Sequence, residues 1–180
     1  MNGWRAHLAC ACGALMVVSV VPSAQRMQRS PDIHFVPTPN NVVDAMLDIA
    51  AVGPGDIVYD LGSGDGRIVI AAARRGARGV GVELDPRLVA ESTRNAAKAG
   101  VADSTQFIEG DIFKTDVSPA TVVTLYLLSS INQRLRPKLL RELKPGSRIV
   151  SHRFRIGAWE PERSSKVAGK EVFLWRVPAP

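Results

Sequence analysis

IVYDLGSGDG, at residues 57–66, joins an apolar run to a turn in which every second residue is glycine. The apolar run is typical of a buried strand, and residues 67–75 after the last glycine have the composition of a helix. In α/β folds, a strand that enters a glycine-rich turn and opens a helix brings backbone close to a nucleotide-like ligand. Glycine suits this position because it has no Cβ to block the ligand and because it tolerates positive φ. The segment therefore predicts a turn that binds a nucleotide-like group.

Two acidic residues indicate which ligand the turn accepts. The glycines are spaced G-x-G-x-G, and Asp60 stands two residues before the first of them. A carboxylate at that position repels a pyrophosphate but attracts an ammonium group, which favours S-adenosylmethionine over a dinucleotide. Glu83 lies near the end of a second predicted strand, residues 79–84, and an acid about 20 residues after the turn is placed to accept hydrogen bonds from ribose hydroxyls. A simpler role for Asp60, the capping of nearby backbone N–H groups, stays open.

The third and fourth predicted strands extend this candidate site. Residues 105–109 form the third strand and run into Asp111 and Ile112. At the carboxyl edge of such a sheet, Asp111 can accept a hydrogen bond from the exocyclic amine of adenine, while Ile112 and Leu84 enclose the ring. The alternative for Asp111 is an ordinary exposed acid in a loop. Residues 121–127 are almost wholly apolar, as expected for a strand covered on both faces.

Five stretches of the sequence carry a family resemblance. They read VYDLGSGDGRIVIAAA, VGVELDP, FIEGDIF, TVVTLYLL and LKPGSRIVSH. Together they resemble the class I, seven-β-strand S-adenosylmethionine-dependent methyltransferases. More narrowly, they resemble the group that includes the mitochondrial lysine methyltransferases of the adenine nucleotide translocase and of the ATP synthase c-subunit, with their bacterial relatives. The resemblance covers residues 33–178 and implies S-adenosylmethionine as cofactor and a protein lysine as acceptor.

The order of the predicted elements indicates the fold. Strands alternate with helices, which implies a parallel sheet with right-handed crossovers, and residues 166–177 are typical of a terminal hairpin. We therefore expect an α/β fold, a Rossmann-like, doubly wound, mostly parallel sheet with an antiparallel C-terminal hairpin. The family resemblance implies seven strands. Asn40 or Asn41 is expected to cap the first helix, which runs to about residue 51, while residues 132–143 predict a later helix and residues 148–154 a fifth strand.

The predicted cofactor-binding residues come from the segments that the motifs define. They are Thr38, Asp60, Gly62, Ser63, Gly64, Gly66, Glu83, Leu84, Asp111 and Ile112. Thr38 lies ahead of the first helix, where its hydroxyl either contacts the methionine carboxylate or simply begins the helix.

The predicted acceptor site lies at the end of the fourth strand. Methyl transfer from a sulfonium mainly requires alignment of donor and acceptor. A lysine amine, with a reference pKa of about 10.4, must also arrive neutral, so the site must desolvate it. Tyr126, Ser129 and Asn132 are the predicted catalytic residues, with Ser130 as a further candidate to orient the amine, and Tyr126 is alternatively plain core. His152 is either a base or, more commonly for a lone histidine on a strand, a structural residue.

The N-terminus predicts a separate segment. Residues 8–21 are uncharged and follow Arg5, so residues 1–24 are expected to be a signal peptide or membrane anchor, residues 25–32 a linker and residues 33–180 the methyltransferase domain. The run is shorter than the ~20 residues that span a bilayer. An export signal conflicts with a cofactor kept inside cells. The segment is then an uncleaved anchor of an enzyme on the cytoplasmic side, a misassigned start, or the leader of an exported domain with lost or changed activity.

Composition limits the other partners. Both cysteines, Cys10 and Cys12, fall inside the apolar run, so the rest of the chain has no thiol chemistry, and no metal site is expected from three scattered histidines. The formal charge is +6, with cations concentrated between residues 134 and 148. These cations form either a solvated helix face or a surface for anionic lipid, a membrane-protein target or RNA. No RNA-binding module and no N/D-P-P-Y motif is found, so sequence-specific nucleic acid is not an expected partner.

Two alternatives to a lysine methyltransferase stay open. The first is a small-molecule N- or O-methyltransferase, although the short chain before the first strand and the compact C-terminal hairpin leave an open site suited to a side chain on a larger partner. The second is a non-catalytic domain that binds S-adenosylmethionine, against which the intact glycines and acids argue. A nicotinamide reductase is disfavoured because no Tyr-x-x-x-Lys occurs.

Overall fold

The computed structural model describes residues 36–179. The α-helices in this part of the chain are α1 (Asn40–Ile49), α2 (Arg67–Arg74), α3 (Pro86–Lys98) and α4 (Ser129–Glu142). The strands are β1 (Ile57–Leu61), β2 (Arg78–Glu83), β3 (Thr105–Glu109), β4 (Val122–Leu125), β5 (Arg148–His152), β6 (Arg163–Val167) and β7 (Lys170–Arg176). A short 3-10 helix, Ala102–Ser104, precedes β3.

These strands form one sheet in the order β3-β2-β1-β4-β5-β7-β6. Strands β1 to β5 are parallel, whereas β7 runs antiparallel to both β5 and β6. The chain moves outward from β1 to β3 and then continues from β4 on the other side, so the strand order reverses between β1 and β4. Ligands of open α/β sheets bind outside the carboxyl ends of the strands at such a switch point. The predicted Rossmann-like sheet with an antiparallel C-terminal hairpin is confirmed.

Apolar side chains cover both faces of the sheet. In β1, Val58 packs on the face covered by α1 and α2, whereas Leu61 packs on the opposite face. Helix α4 contributes Leu135 and Leu139 to that opposite face. Because successive strand residues point to opposite faces, a strand buried along its whole length, such as β4, needs both layers. The carboxyl edge of the sheet is therefore left for a ligand.

Helix α1 begins without the predicted asparagine cap. Pro39 occupies the N-cap position and makes no side-chain hydrogen bond. Its carbonyl accepts hydrogen bonds from the backbone N–H groups of Val42 and Val43, at 2.9 and 3.0 Å. The prediction of Asn40 or Asn41 as the cap is wrong, because the extended backbone that proline favours ends at Pro39 and both asparagines already lie inside the helix.

Two strands are shorter than predicted, and both end beside the candidate site. β4 ends at Leu125 instead of residue 127, because the chain turns through residues 126–128 into α4. That helix begins at Ser129, three residues earlier than predicted. β5 ends at His152 instead of residue 154, because Arg153 has a φ of 69° and cannot continue an extended strand. Tyr126 therefore lies beyond its strand, in the connection to α4.

The predicted N-terminal signal or anchor and the linker, residues 1–24 and 25–32, lie outside the residues that the structure describes. Among the helices between residues 36 and 179, none combines the length and apolarity needed to cross a bilayer.

Candidate active site

Asp60 is a buried carboxylate at the carboxyl end of β1. Only 3% of its surface is exposed, and its Oδ1 accepts a hydrogen bond of 2.7 Å from the hydroxyl of Thr124 on β4. Burial raises the pKa of Asp60 to about 7, and the charges of Glu83 and Asp65 add to the rise while the Thr124 hydrogen bond opposes it. No cationic side chain among residues 36–179 forms an ion pair with Asp60. The site is therefore suited to a cationic ligand group.

Glu83 joins the end of β2 to the glycine turn. Its Oε2 accepts a hydrogen bond of 2.9 Å from the backbone N–H of Gly64. Its Oε1 accepts from the N–H groups of Leu84 and Asp85, at 2.8 and 3.0 Å. These bonds fix the carboxylate in place, and Oε2, which accepts only one of them, still has a lone-pair direction for a ligand hydroxyl.

The glycines of the turn share a left-handed backbone, and Gly66 also allows close packing. All three have positive φ, of 84° at Gly62, 53° at Gly64 and 81° at Gly66. A Cβ at Gly66 would lie 2.8 Å from the ring of Phe107 and from Cβ of Ser92, so this glycine allows α2 to pack against β3 and α3. The packing of the core thus requires glycine at position 66, whether or not a ligand approaches the turn.

Ser63 in the same turn is buried, with 4% of its surface exposed. Its backbone N–H donates to the carbonyl of Val82 at 3.1 Å. Its hydroxyl has no hydrogen-bond partner among the described residues. A buried hydroxyl without a partner is uncommon in folded proteins, which makes Ser63 a candidate to bind a ligand atom.

The adenine side of the predicted site combines one carboxylate with two apolar residues. Asp111 accepts a hydrogen bond of 2.9 Å from the N–H of Phe113 through Oδ1, which is the loop-stabilising role that the simpler interpretation assigns to it. Its Oδ2 makes only a 3.9 Å contact with Lys114. Ile112 packs partly against the core, whereas Leu84 is 52% exposed. An exposed leucine and a carboxylate oxygen without a hydrogen bond are both suited to a flat, amine-bearing ring.

Thr38 ties the segment before α1 to both sides of the site. Its carbonyl accepts a hydrogen bond of 2.9 Å from Nη1 of Arg67, and Arg67 also pairs with Asp65 of the glycine turn at 2.6 Å. Its side-chain Oγ1 lies 3.4 Å from Nδ1 of His152. Thr38 is buried, so its hydroxyl contacts β5 in this structure. The predicted contact with a methionine carboxylate stays a prediction.

Three aromatic rings stand together at the carboxyl ends of β4 and β5. The ring of Tyr126 stacks on His152, with centroids 4.0 Å apart and an interplanar angle of 28°, and lies 6.0 Å from the ring of Phe154. We refer to these three rings as the aromatic wall. Burial lowers the pKa of His152 to about 4, and the charges of Lys170 and Arg153 act in the same direction. The wall is therefore uncharged at neutral pH.

A tight turn after β5 holds Phe154 in this wall. The backbone N–H of Phe154 donates to the carbonyl of His152 at 2.8 Å, which makes Arg153, with φ of 69°, the centre of a γ-turn of the rare, strained type. The carbonyl of Phe154 accepts from Oγ of Ser151 at 2.6 Å and from Nδ2 of Asn132 at 3.2 Å. Asn132 is fully buried, so it stabilises this turn from the interior of the protein.

The predicted acceptor residues thus differ in their surroundings. Tyr126 is half-buried in the aromatic wall, and Ser129 is exposed at the first position of α4. Asn132 lies in the next helical turn, and its Oδ1 is buried without a partner among residues 36–179. The structure brings Tyr126 and Asn132 to the same edge of the sheet through their shared neighbour Phe154.

Sequence reasoning missed three residues of this site. Thr124 was detectable, since it is a polar residue inside an otherwise apolar strand, VVTL. Arg67 directly follows the last glycine, but nothing in the sequence indicates its bond to the carbonyl of Thr38. Phe154 carries no signal, because its position depends on the γ-turn.

The basic residues of α4 do not form a free charged face. The guanidinium of Arg134 lies 4.4 Å from the ring centre of Phe113, and that of Arg136 lies 5.3 Å from the ring centre of Trp159. Lys138 is buried and pairs with Glu142. The interpretation of this helix as a solvated face is wrong for Lys138, which is buried, whereas Arg134 is exposed even though its guanidinium packs on Phe113.

The described residues contain no group of three or more histidine, cysteine, aspartate or glutamate side chains that could hold a metal ion. The candidate site consists of carboxylates, hydroxyls and aromatic rings.

The sequence and fold match known proteins over most of the chain. A sequence model of the ANTKMT methyltransferase domain matches residues 60–163. The chain is 48% identical over 143 residues to a protein-lysine N-methyltransferase of Saccharolobus islandicus, which covers 78% of this chain and 89% of that protein. It is 36% identical over 141 residues to the adenine nucleotide translocase lysine N-methyltransferase of Mus musculus, which covers 78% of this chain and 61% of that protein.

A solved structure gives the same classification. An RNA methyltransferase from Salinibacter ruber, in complex with S-adenosyl-L-homocysteine, matches with a TM-score of 0.79 and 56% identity, over 81% of this chain and 95% of that chain. The predicted family and enzyme class are confirmed. The chain belongs to the ANTKMT methyltransferase domain family, within the class I S-adenosylmethionine-dependent methyltransferases.

Proposed function

We propose that this methyltransferase acts on the ε-amine of a lysine side chain in a protein. The observation that carries the proposal is the uncharged aromatic wall, which stands beside the carboxylate-lined edge of the sheet. The protein-lysine N-methyltransferase of Saccharolobus islandicus, 48% identical, supports the same acceptor.

The residues at the ends of β1, β2 and β3 fit S-adenosylmethionine. Asp60 is buried without a cationic partner among the described residues, and an ammonium group would lower its raised pKa and remove the cost of its burial. Glu83 has a lone pair on Oε2 for a ribose hydroxyl, and Asp111 has one oxygen without a hydrogen bond for the adenine amine. Leu84 and Ile112 supply apolar surface for the ring. When bound, the cofactor supplies an electrophilic methyl group on a sulfonium.

The aromatic wall can prepare a lysine for methylation. An amine that leaves water for uncharged rings is harder to protonate, so its pKa falls from about 10.4 and its lone pair becomes free. A carboxylate at this place would have the opposite effect, and none of the three wall residues carries one. The hydroxyl of Tyr126 can accept an N–H of the amine and so orient the lone pair. The neutral amine, oriented by Tyr126, would accept the methyl group that bound S-adenosylmethionine supplies, with the sulfur leaving as a neutral thioether, and would release its remaining proton to water.

RNA is a second candidate acceptor, because the 56% identical protein from Salinibacter ruber is named an RNA methyltransferase. Two features of this chain disfavour RNA. The cations of α4 that pack on Phe113 and Trp159 or pair with Glu142 are engaged within the protein. The last residue of β4 and the connection after it, residues 125–128, read LYLL, where many enzymes that methylate nucleic-acid amines have N/D-P-P-Y.

Transfer of a tritiated methyl group from S-adenosylmethionine distinguishes the acceptors. The full chain is incubated with three separate pools: a membrane-protein fraction, total RNA and a small-molecule extract. We expect label in protein that acid hydrolysis releases as methyllysine. Glu83→Ala is the control and should give none. Label only in RNA would move the assignment to the second candidate, and label only in small molecules would indicate a small-molecule N- or O-methyltransferase. Binding of the cofactor without any transfer would leave a non-catalytic binding domain.

We further propose that residues 33–180 are the methyltransferase domain and that residues 8–21 associate with a membrane, with a membrane protein as substrate. The uncharged run after Arg5 supports this proposal. Flotation of the full chain with phospholipid vesicles tests it, and a chain with Asp in place of Val17 and Val20 is the control. Recovery of the wild-type chain only in the soluble fraction would contradict it.

A further inference from the structure

The ring of His152 and both of its nitrogens are enclosed by the protein. Only 1% of its surface is exposed. Nδ1 lies 3.4 Å from Oγ1 of Thr38, and Nε2 is buried with no partner among residues 36–179. A base must come within hydrogen-bond reach of the proton it takes, directly or through one water. The part of His152 that the site uses is therefore its face, which stacks on Tyr126.

Tyr126 depends on its neighbours for its position. It lies beyond the end of β4 and before the start of α4, where neither strand pairing nor helical hydrogen bonds hold it. Its ring stacks on His152 at 4.0 Å and meets Phe154 at 6.0 Å. Of the two neighbours, His152 is the closer and the more buried, and β5 pairs it with Val172 of β7. The His152 ring is thus held in place by its strand and its burial, and its stack fixes the position of the Tyr126 ring.

We propose that His152 is a positioning residue for methyl transfer, which holds the Tyr126 ring by stacking and so sets where the Tyr126 hydroxyl meets the acceptor amine. The inference rests on the proposed function, in which Tyr126 orients a lysine. It assigns His152 no proton transfer. A charged imidazole would repel both a sulfonium and an approaching ammonium, and burial keeps this ring neutral.

Two variants separate the stack from the nitrogens. His152→Asn keeps a polar group near Thr38 but removes the aromatic face. His152→Phe keeps an aromatic face but removes both nitrogens. Ile149→Val, a buried change on the same strand, is the control for general loosening of β5. Thermal unfolding confirms that each variant is folded.

The first measurement reports the stack between Tyr126 and His152 without any activity. The chain has two tyrosines, Tyr59 and Tyr126, so labelling with 3-fluorotyrosine gives two fluorine NMR resonances, which Tyr126→Phe assigns. Because Tyr126 lies over an aromatic ring, we expect its resonance to move in His152→Asn and to stay close to the wild-type position in Ile149→Val. The Tyr59 resonance, from β1, should not move. An unchanged Tyr126 resonance in His152→Asn would overturn the inference.

The second measurement is the rate of methyl transfer into the protein pool that the wild type labels, at saturating S-adenosylmethionine. His152→Asn should lower kcat about tenfold, since misplacing a positioned group by about 1 Å costs up to 100-fold. His152→Phe should recover most of that loss. In a Tyr126→Phe background, His152→Asn should cost less than about twofold, because the hydroxyl it positions is already absent.

Two results would reject the role of His152 without bearing on the proposed lysine acceptor. If His152→Phe loses as much rate as His152→Asn, the nitrogens and not the stack matter. If His152→Asn costs the same factor with and without the Tyr126 hydroxyl, His152 does not act through Tyr126. Absence of labelled protein with the wild-type enzyme would instead count against the proposed lysine acceptor, while the fluorine resonances would still report on the stack.

Discussion

The cofactor side and the acceptor side of the site are built by different means. On the cofactor side, the ends of β1 and β2 are joined by backbone hydrogen bonds, from Gly62 and Ser63 to the carbonyl of Val82 and from Gly64 to Glu83. On the acceptor side, ring stacking and a strained turn at Arg153 hold the residues together. The hydrogen bonds of the first arrangement are part of the sheet, whereas the contacts of the second form only once the sheet is in place.

This difference has a consequence for mutations. Changes on the cofactor side should disturb folding or cofactor affinity, because the turn is part of the sheet and of the packing between helices. Changes on the acceptor side should lower the rate of transfer and leave cofactor affinity unchanged. Four substitutions test this separation, from the largest expected effect to the smallest.

Gly66→Ala should be the most damaging change, and its effect should be on stability. A Cβ there lies 2.8 Å from Phe107 and Ser92, at a φ of 81°. The left-handed backbone costs a non-glycine residue about 1–2 kcal/mol and overpacking about 1–3 kcal/mol, so urea unfolding should show a loss of about 3 kcal/mol. Gly100→Ala is the matched control, because it has a φ of 72° but open space around its Cβ. Equal losses in the two variants would show that the turn is not part of the core.

Glu83→Ala should weaken binding of S-adenosylhomocysteine about 100-fold. The carboxylate can accept a hydrogen bond from the ribose, and such a bond to a charged acceptor is worth about 1.5–3 kcal/mol, where about 2.7 kcal/mol corresponds to 100-fold. The variant also leaves the N–H of Gly64 without its partner. Calorimetric titration measures the affinity, and Glu109→Ala, an exposed acid on the neighbouring strand, is the control. An affinity within a few-fold of the wild type would remove Glu83 from the cofactor site.

Asp60→Asn should lower the affinity for the cofactor but raise the free energy of unfolding of the cofactor-free protein at high pH. The folded pKa of Asp60 is raised to about 7, so its protonated form is favoured by folding. That contribution to stability is fully present below the unfolded pKa of about 3.9 and is lost as pH rises through about 7. The rise of this pKa by about three units corresponds to about 4 kcal/mol, at about 1.4 kcal/mol per unit. At pH 8 the free energy of unfolding of the variant should therefore be higher by on the order of 2 kcal/mol, because burial of the asparagine amide itself offsets part of that gain.

Urea unfolding at pH 4.5 and pH 8 measures this effect. The difference between variant and wild type should be large at pH 8 and small at pH 4.5, because an asparagine does not titrate. Thr124 can still donate its hydrogen bond to the amide oxygen of the variant. A variant less stable than the wild type at pH 8 would show that burial of the ionised Asp60 carboxylate does not destabilise the cofactor-free protein.

Asn132→Ala should have the smallest effect, on the rate alone. Its Nδ2 donates to the carbonyl of Phe154, while its Oδ1 is buried without a partner among the described residues, so its removal should cost little stability. Loosening of Phe154 should lower kcat about tenfold, with the affinity for S-adenosylhomocysteine unchanged. Ser129→Ala is the comparison, since Ser129 is exposed on the same helix. A loss of cofactor affinity in Asn132→Ala would break the separation between the two sides.

The cofactor side was predictable because its residues occupy defined places relative to predicted strands. Asp60 and Glu83 end or nearly end their strands, and the carboxyl ends of parallel strands meet at one edge. The assignment of each acid to one part of the ligand stays a prediction.

The acceptor side was predictable only in part. Tyr126 was recognised from its place after the fourth strand, but its partners were not. His152 contacts Thr38, which lies 114 residues earlier in the chain, and no local pattern indicates such a pairing. The ends of β4 and β5 were misplaced for the same reason, since the turn that ends β5 is held by Asn132 from α4.

Sequence alone determined the architecture, the glycine turn and the acids around it, because strand propensity, positive φ and residue spacing are local properties of the chain. Tertiary structure alone decided which side chains form the aromatic wall and in what state of charge His152 is held. The pKa of Asp60 and the pKa of His152 both depend on burial, and burial is created only when helices cover both faces of the sheet. The stack of Tyr126 on His152 likewise exists only after β4 and β5 pair.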